Sequence, residues 1–169
     1  DSTGRPGRNY WQLRTDYTIQ VRLDPATGRL YGRETVLIHN RSDSALTQIA
    51  LRLDPNIFRP TVPRGGSTPA ETTDGMILTK VAVNGVAADL AAQAPGGGRG
   101  AGGAPPAAGG AVRVSGLTLT NARVSLPTPV PAKGTVTLDI EWNHKLPGGP
   151  GGQGHRMTQR WADTLFQPT

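Results

Sequence analysis

The run Tyr17-Thr-Ile-Gln-Val-Arg-Leu-Asp24 alternates apolar and polar residues without a break. Tyr17, Ile19, Val21 and Leu23 fall on one side; Thr18, Gln20, Arg22 and Asp24 fall on the other. Such a period of two belongs to a half-buried β-strand. Two further runs follow at short spacing. Leu30–Asn40 sets Val36 and Ile38 against Leu37, and Leu46–Leu53 alternates Ile49, Leu51 and Leu53. The links between them are turn chemistry. In Asp24-Pro-Ala-Thr-Gly28, Pro25 fixes φ and Gly28 accepts a positive φ. Asn40-Arg-Ser-Asp-Ser44 reverses the chain again. A chain that opens this way must bury one face of a sheet, and the opposite face must tolerate water.

The pattern continues after a Pro-rich stretch from Asp54 to Asp74, which is expected to be a long loop. Met76–Val83 reads as a fourth strand. Asn84-Gly85 then stands between Val81-Ala-Val83 and Val86, the strongest hairpin signal in the chain, because a type I′ turn needs positive φ at both central residues. Residues Ala91–Ala111 contain only Ala, Gly, Pro, Gln and Arg, a composition that buries almost nothing. Strands are expected to resume at Val112–Val114 and at about Leu117–Leu126. Pro127, Pro129 and Pro131 are expected to form a stiff connection. Thr135–Asn143 is the last clear strand, with Val136, Leu138, Ile140 and Trp142 on one face. A loop, Pro147–Gly154, leads to the tail His155–Thr169.

About eight antiparallel strands with no helix predict an all-β, two-sheet sandwich with long Gly/Pro-rich loops. Gly (23) and Pro (15) together exceed a fifth of the 169 residues, which argues the same way. Residues 1–13 read as a flexible arm and 14–169 as one sandwich domain, with an insertion at 91–111. The expected core is Ile19, Val21, Val36, Ile38, Leu51, Val81, Val136, Leu138 and Ile140.

The net charge of +6 is spread out. Arg22, Arg33, Arg41, Arg52, Arg113 and Arg123 stand alone, and no nucleic-acid module is readable, so nucleic acid is not an expected partner. The scattered arginines read as solvated strand faces, and contact with an acidic protein surface or anionic headgroups is left open. No apolar stretch reaches the ~20 residues needed to span a bilayer. Without cysteines, thiolate metal sites and disulfides are excluded. His39, His144 and His155 lack the closely spaced partners of a local zinc site, and no H-E-x-x-H occurs. Asp139 and Glu141 share one strand face and read as solvated rather than as a glycosidase pair. The serines have no nucleophile-elbow context, and the Gly-rich runs precede no helix. No catalytic, metal-binding or cofactor-binding set is expected. The candidate contact residues are Arg5, Arg8, Tyr10 and Trp11 on the arm and Arg99 in the insertion. Tyr, Trp and Arg are the types that anchor interfaces.

Several motifs resemble the N-terminal β-sandwich domain of the aminopeptidase N-like (gluzincin) zinc metallopeptidases. They are Tyr17-Thr-Ile-Gln-Val-Arg-Leu-Asp24, Gly32-Arg-Glu-Thr35, Leu51-Arg-Leu-Asp-Pro-Asn56, Val81-Ala-Val-Asn-Gly85, Leu138-Asp-Ile-Glu141 and His144-Lys-Leu-Pro147. The closing Phe166-Gln-Pro-Thr169 is similar to that family's F-E-P-T. The resemblance covers about Tyr10 to Thr169, interrupted by the insertion. It implies a saddle-shaped sandwich, with zinc ligands and the general base in a following domain that this chain does not reach. The family's substrate-anchoring Gln or Glu falls on Leu165, which cannot bind an amine. Two functional expectations follow. One is a non-catalytic structural or accessory subunit that contacts other proteins in a larger assembly. The other is the N-terminal part of an active zinc aminopeptidase. The resemblance and the absence of an initiating Met imply the periplasmic or extracytoplasmic face of a bacterial envelope, with membrane-surface proximity but no span.

Overall fold

The computed structural model describes residues 4–5, 7, 10–63, 71–91, 111–148, 159–162 and 165–167, the last two segments as backbone. Among these the chain is all-β. The strands are β1 (Arg14–Asp24), β2 (Arg29–His39), β3 (Leu46–Arg52), β4 (Met76–Val83), β5 (Val86–Ala87), β6 (Arg113–Ser115), β7 (Asn121–Val130), β8 (Thr135–Lys145), β9 (Gln159–Ala162) and β10 (Leu165–Gln167). A short 3-10 turn, Asp54–Phe58, follows β3. Five strands form one antiparallel sheet in the order β1-β2-β8-β4-β5. Three form the other, β3-β7-β6, and β9 pairs with β10 apart from both.

The two larger sheets pack face to face, which makes the expected sandwich. Val36, Ile38, Val81, Val83, Val136, Leu138 and Ile140 from the five-stranded sheet meet Val114, Ala122, Val124, Leu126 and Val130 from the three-stranded one. Six of the expected core residues lie in this cluster, and Leu51 packs against it half-buried. Ile19 and Val21 do not. They stand on the correct face, since β1 pairs with β2 through Ile19↔Glu34 and Val21↔Gly32, in one row with Tyr17↔Val36. Yet Tyr17, Ile19, Val21 and Leu23 are 58%, 52%, 53% and 37% exposed. The physical reason is width. A three-stranded sheet cannot cover five strands: the edge strand β1 is left uncovered, and at the other edge Val86 of β5, opposite the buried Val83, is also 52% exposed.

Two polar residues lock the loops. Asn56 is fully buried; its amide donates to the carbonyls of Leu117 (3.0 Å) and Leu119 (2.7 Å), and its Oδ1 accepts the Met76 N–H (2.8 Å). That ties the 3-10 turn to the start of β4 and to the β6–β7 loop. At the hairpin tip, Asn84 (φ 48°) and Gly85 (φ 82°) both take positive φ, as the Asn-Gly pair predicted. Asn84 Oδ1 also accepts the Thr137 N–H at 2.9 Å, which latches the tip to β8.

Pro127 and Pro129 are a correction: they lie inside β7 rather than in a connection. The ladder to β3 skips between Leu46↔Val130 and Gln48↔Ser125, and β6 pairs with β7 only over Arg123–Ser125. Proline, which donates no N–H, is tolerated in a strand at such a bulge with a free edge. β7 also starts later than expected, because Gly116 (φ 76°) and the Leu119 N–H to Gly116 C=O bond (2.9 Å) make a turn of 116–119.

Candidate functional site

At one end of the five-stranded sheet, the arm meets two turns. The first follows β2 and is built on Asn40, which is 1% exposed. The Asn40 amide donates to the carbonyls of Ser44 (2.7 Å), Val130 (3.2 Å) and Pro131 (2.9 Å). Its Oδ1 accepts the Ser42 hydroxyl at 2.7 Å. The second turn joins β7 to β8, closed by the Gly134 N–H on the Pro131 carbonyl at 3.0 Å. Lys133 takes φ 62° in it, a conformation a lysine adopts at a cost of about 1 kcal/mol. Asn40 stitches the two turns together and so brings Arg41 and Lys133 side by side. Lys133 Nζ donates to the Arg41 carbonyl at 2.8 Å and pairs with Asp43 at 2.7 Å.

The arm runs beside these turns. Tyr10, Trp11, Gln12, Arg14, His39, Asn40, Arg41 and Lys133 line an open cleft of about 700 Å³. Tyr10 and Trp11 are 57% and 48% exposed, and the Gln12 amide donates to the Tyr10 hydroxyl at 2.6 Å. Asp16 forms the cleft's anionic counterpart: it accepts from Arg14 Nε at 3.1 Å and lies 2.8 Å from His39 Nε2. The His39 and Arg14 hydrogen bonds hold its carboxyl below the usual carboxylate range. Aromatic faces beside several cations suit an aromatic or acidic side chain of another protein. Among the described residues no cluster of three His, Cys, Asp or Glu could hold a metal ion.

The second surface is the uncovered row on β1. It begins three residues beyond Arg14 and continues the core face into solvent. Glu34, in register with Ile19, is half-buried on this face, and burial raises its carboxyl's pKa. The opposite face is polar. There Thr35 donates to Asp139 at 2.8 Å, and Lys80 lies 3.7 Å from Glu141. Those two carboxylates are therefore engaged with neighbouring strands.

Of the candidate contact residues, the cleft gathers Tyr10 and Trp11. Arg5 is exposed on the arm and is not among the residues lining the cleft. Arg8 and Arg99 lie outside the described residues, as does His155. Arg14, His39, Arg41 and Lys133 escaped sequence reasoning, because only the pairing of β2 with β8 places their turns together. The exposure of the β1 row also escaped, and its one clue needs the strand register. A row meant for a dry core would not set Ile19 against Glu34.

No family model matches the chain, and no curated protein is significantly similar to it. Among the described residues no helix is long and apolar enough to cross a membrane.

Proposed function

We propose that this chain is a non-catalytic structural or accessory subunit, working through protein–protein contacts in a larger, envelope-associated assembly. One observation carries the reading: four large apolar side chains on β1 stand in water on the face that elsewhere forms the core. Apolar rows of this kind mark contact surfaces. The aromatic and cationic cleft at the arm adds anchors of the type found at interfaces. The extracytoplasmic location is supported by the family resemblance and by no feature of the fold.

The same row favours a second reading. In the N-terminal sandwich of a zinc aminopeptidase, a covalently attached domain could cover it. An H-E-x-x-H encoded downstream of Thr169 selects that alternative. Photo-crosslinking in the native host tests the main reading. A crosslinker at Trp11 or Ile19 should join this chain to another polypeptide, whereas one at Thr35 on the polar face should not. Equal yields from both faces would overturn it.

A further inference from the structure

Among the described residues β1 is an edge strand with one side unpaired, and that edge complements itself. The strand is 11 residues long and pairs with β2 without a register shift. It carries no proline, lysine or bulge, the devices that normally blunt an exposed edge. Its polar face reads Arg14, Asp16, Thr18, Gln20, Arg22, Asp24, and its midpoint is Ile19.

An antiparallel copy with the two-fold axis at Ile19 sets every charge against its opposite. Arg14 faces Asp24 of the second copy, Asp16 faces Arg22, and Thr18 faces Gln20. On the apolar face Ile19 meets Ile19 and Tyr17 meets Val21, so the two exposed rows pack side by side. The neighbouring registers that keep the faces aligned fail. Centring on Thr18 sets Arg14 against Arg22; centring on Gln20 sets Asp16 against Asp24. Like charges directly opposite destabilise a strand pair, so the charge pattern selects one register out of three.

We propose that β1 is a homodimer edge, pairing antiparallel with β1 of a second copy about Ile19 to make one continuous ten-stranded sheet. The polar side chains are already held on the correct face. Arg22 lies over the Tyr31 ring, 4.6 Å from its centre, and Asp24 accepts the Thr27 hydroxyl at 2.9 Å. A carboxylate accepts several donors, so Asp16 and Asp24 keep these local bonds while facing an arginine. The proposal rests on the reading that the β1 row is a contact surface, and it adds the occupant and the register.

The test is sedimentation of the whole chain over a concentration series, with charge variants. Wild type should dimerise reversibly. Arg22→Asp or Asp16→Arg should each weaken the dimer about tenfold, since each change is made twice across the axis. The double swap Asp16→Arg/Arg22→Asp should restore it. The chain has no cysteine, so single cysteines report the register directly. Ile19→Cys should oxidise to a disulfide-linked dimer, its Cα atoms being about 5 Å apart across the axis. Tyr17→Cys should not, as its copies lie about 13 Å apart along the strands. A monomer at every concentration, an unrestored double swap, or equal linking at positions 17 and 19 overturns the proposal. A monomer whose Ile19 crosslinks to a different protein overturns only the self-pairing and leaves the contact-surface reading standing.

Discussion

Acidification should destabilise this sandwich through one buried histidine above all. His144 is 7% exposed near the end of β8, with its ring stacked on Trp142 at 5.6 Å and in register with Leu30 and Met76. Its Nδ1 is buried without a partner. Burial, and then the nearby Arg29 guanidinium, lower its pKa to about 4, against a smaller opposing pull from Asp74. In the unfolded chain the ordinary value is about 6.5. As pH falls, the unfolded state therefore takes up the proton first. Stability is intact above about pH 6.5 and drains as the pH drops towards 4, by about 3 kcal/mol in all and about 2 kcal/mol by pH 5. Other groups also respond. Glu34, its pKa raised by burial, shifts stability the opposite way, while Asp16 and Asp24, both lowered by side-chain hydrogen bonds, add losses at lower pH. Comparison with His144→Leu isolates the imidazole. That variant removes an unpaired polar atom, worth about 1–3 kcal/mol, and loses an aromatic stack, worth about 1 kcal/mol. Near pH 7.5 its stability should therefore match or modestly exceed wild type. Urea unfolding followed by tryptophan fluorescence from pH 7.5 to 4 should show the gap widening by about 3 kcal/mol in favour of the variant. Parallel losses in the two proteins would refute the assignment.

Three further outcomes are expected. Leu138→Ala, at a fully buried position, should cost about 2–5 kcal/mol in urea unfolding, whereas Ile19→Ala, on the same sheet face, should cost about 1 kcal/mol or less in dilute monomer; equal costs would mean that β1 is covered. Asn56→Ala should lose about 3 kcal/mol, because the Met76 N–H and two loop carbonyls lose their partner, and faster hydrogen exchange at Met76 should accompany it. Gly32→Ala should destabilise by about 1–3 kcal/mol and shift the Trp142 emission, since a Cβ there falls inside the space of the indole ring; an unchanged spectrum would place the ring elsewhere.

Most strands of the two larger sheets were legible because period two survives in their sequences, whereas β9 and β10 were missed: residues His155–Thr169 read only as a tail, and the structure pairs two short strands there. Met76–Val83 was read to the residue, and the Asn84-Gly85 turn formed as its two positive φ values require. What escaped was extent in the second dimension. Alternation says which residues share a face, and Ile19 and Val21 do share theirs with Val36. It does not say how wide the opposing sheet is, so their exposure was illegible. The same limit hid the cleft. Asn40-Arg-Ser-Asp-Ser44 and Pro131-Ala-Lys-Gly134 each read locally as a turn or break, but their contact depends on pairing between strands far apart in sequence. Pro127 and Pro129 misled because local chemistry favours a break there, whereas the bulge opposite Leu46–Gln48 relieves the missing donors.

The central ladder sets a timetable for the chain's birth. β2 pairs along its whole length with β8, Val36 meeting Leu138 roughly a hundred residues later. At 5–20 residues per second, β8 leaves the ribosome about 5–20 s after β2. The β1–β2 hairpin can close within microseconds of emerging. For that interval it waits with two raw edges rather than one, the inner of which bears Val36 and Ile38. The nascent chain is therefore most exposed to a chaperone, or to a wrong neighbour, before its last third exists, and slowing translation after β2 should lower the yield of folded protein more than slowing it after β8.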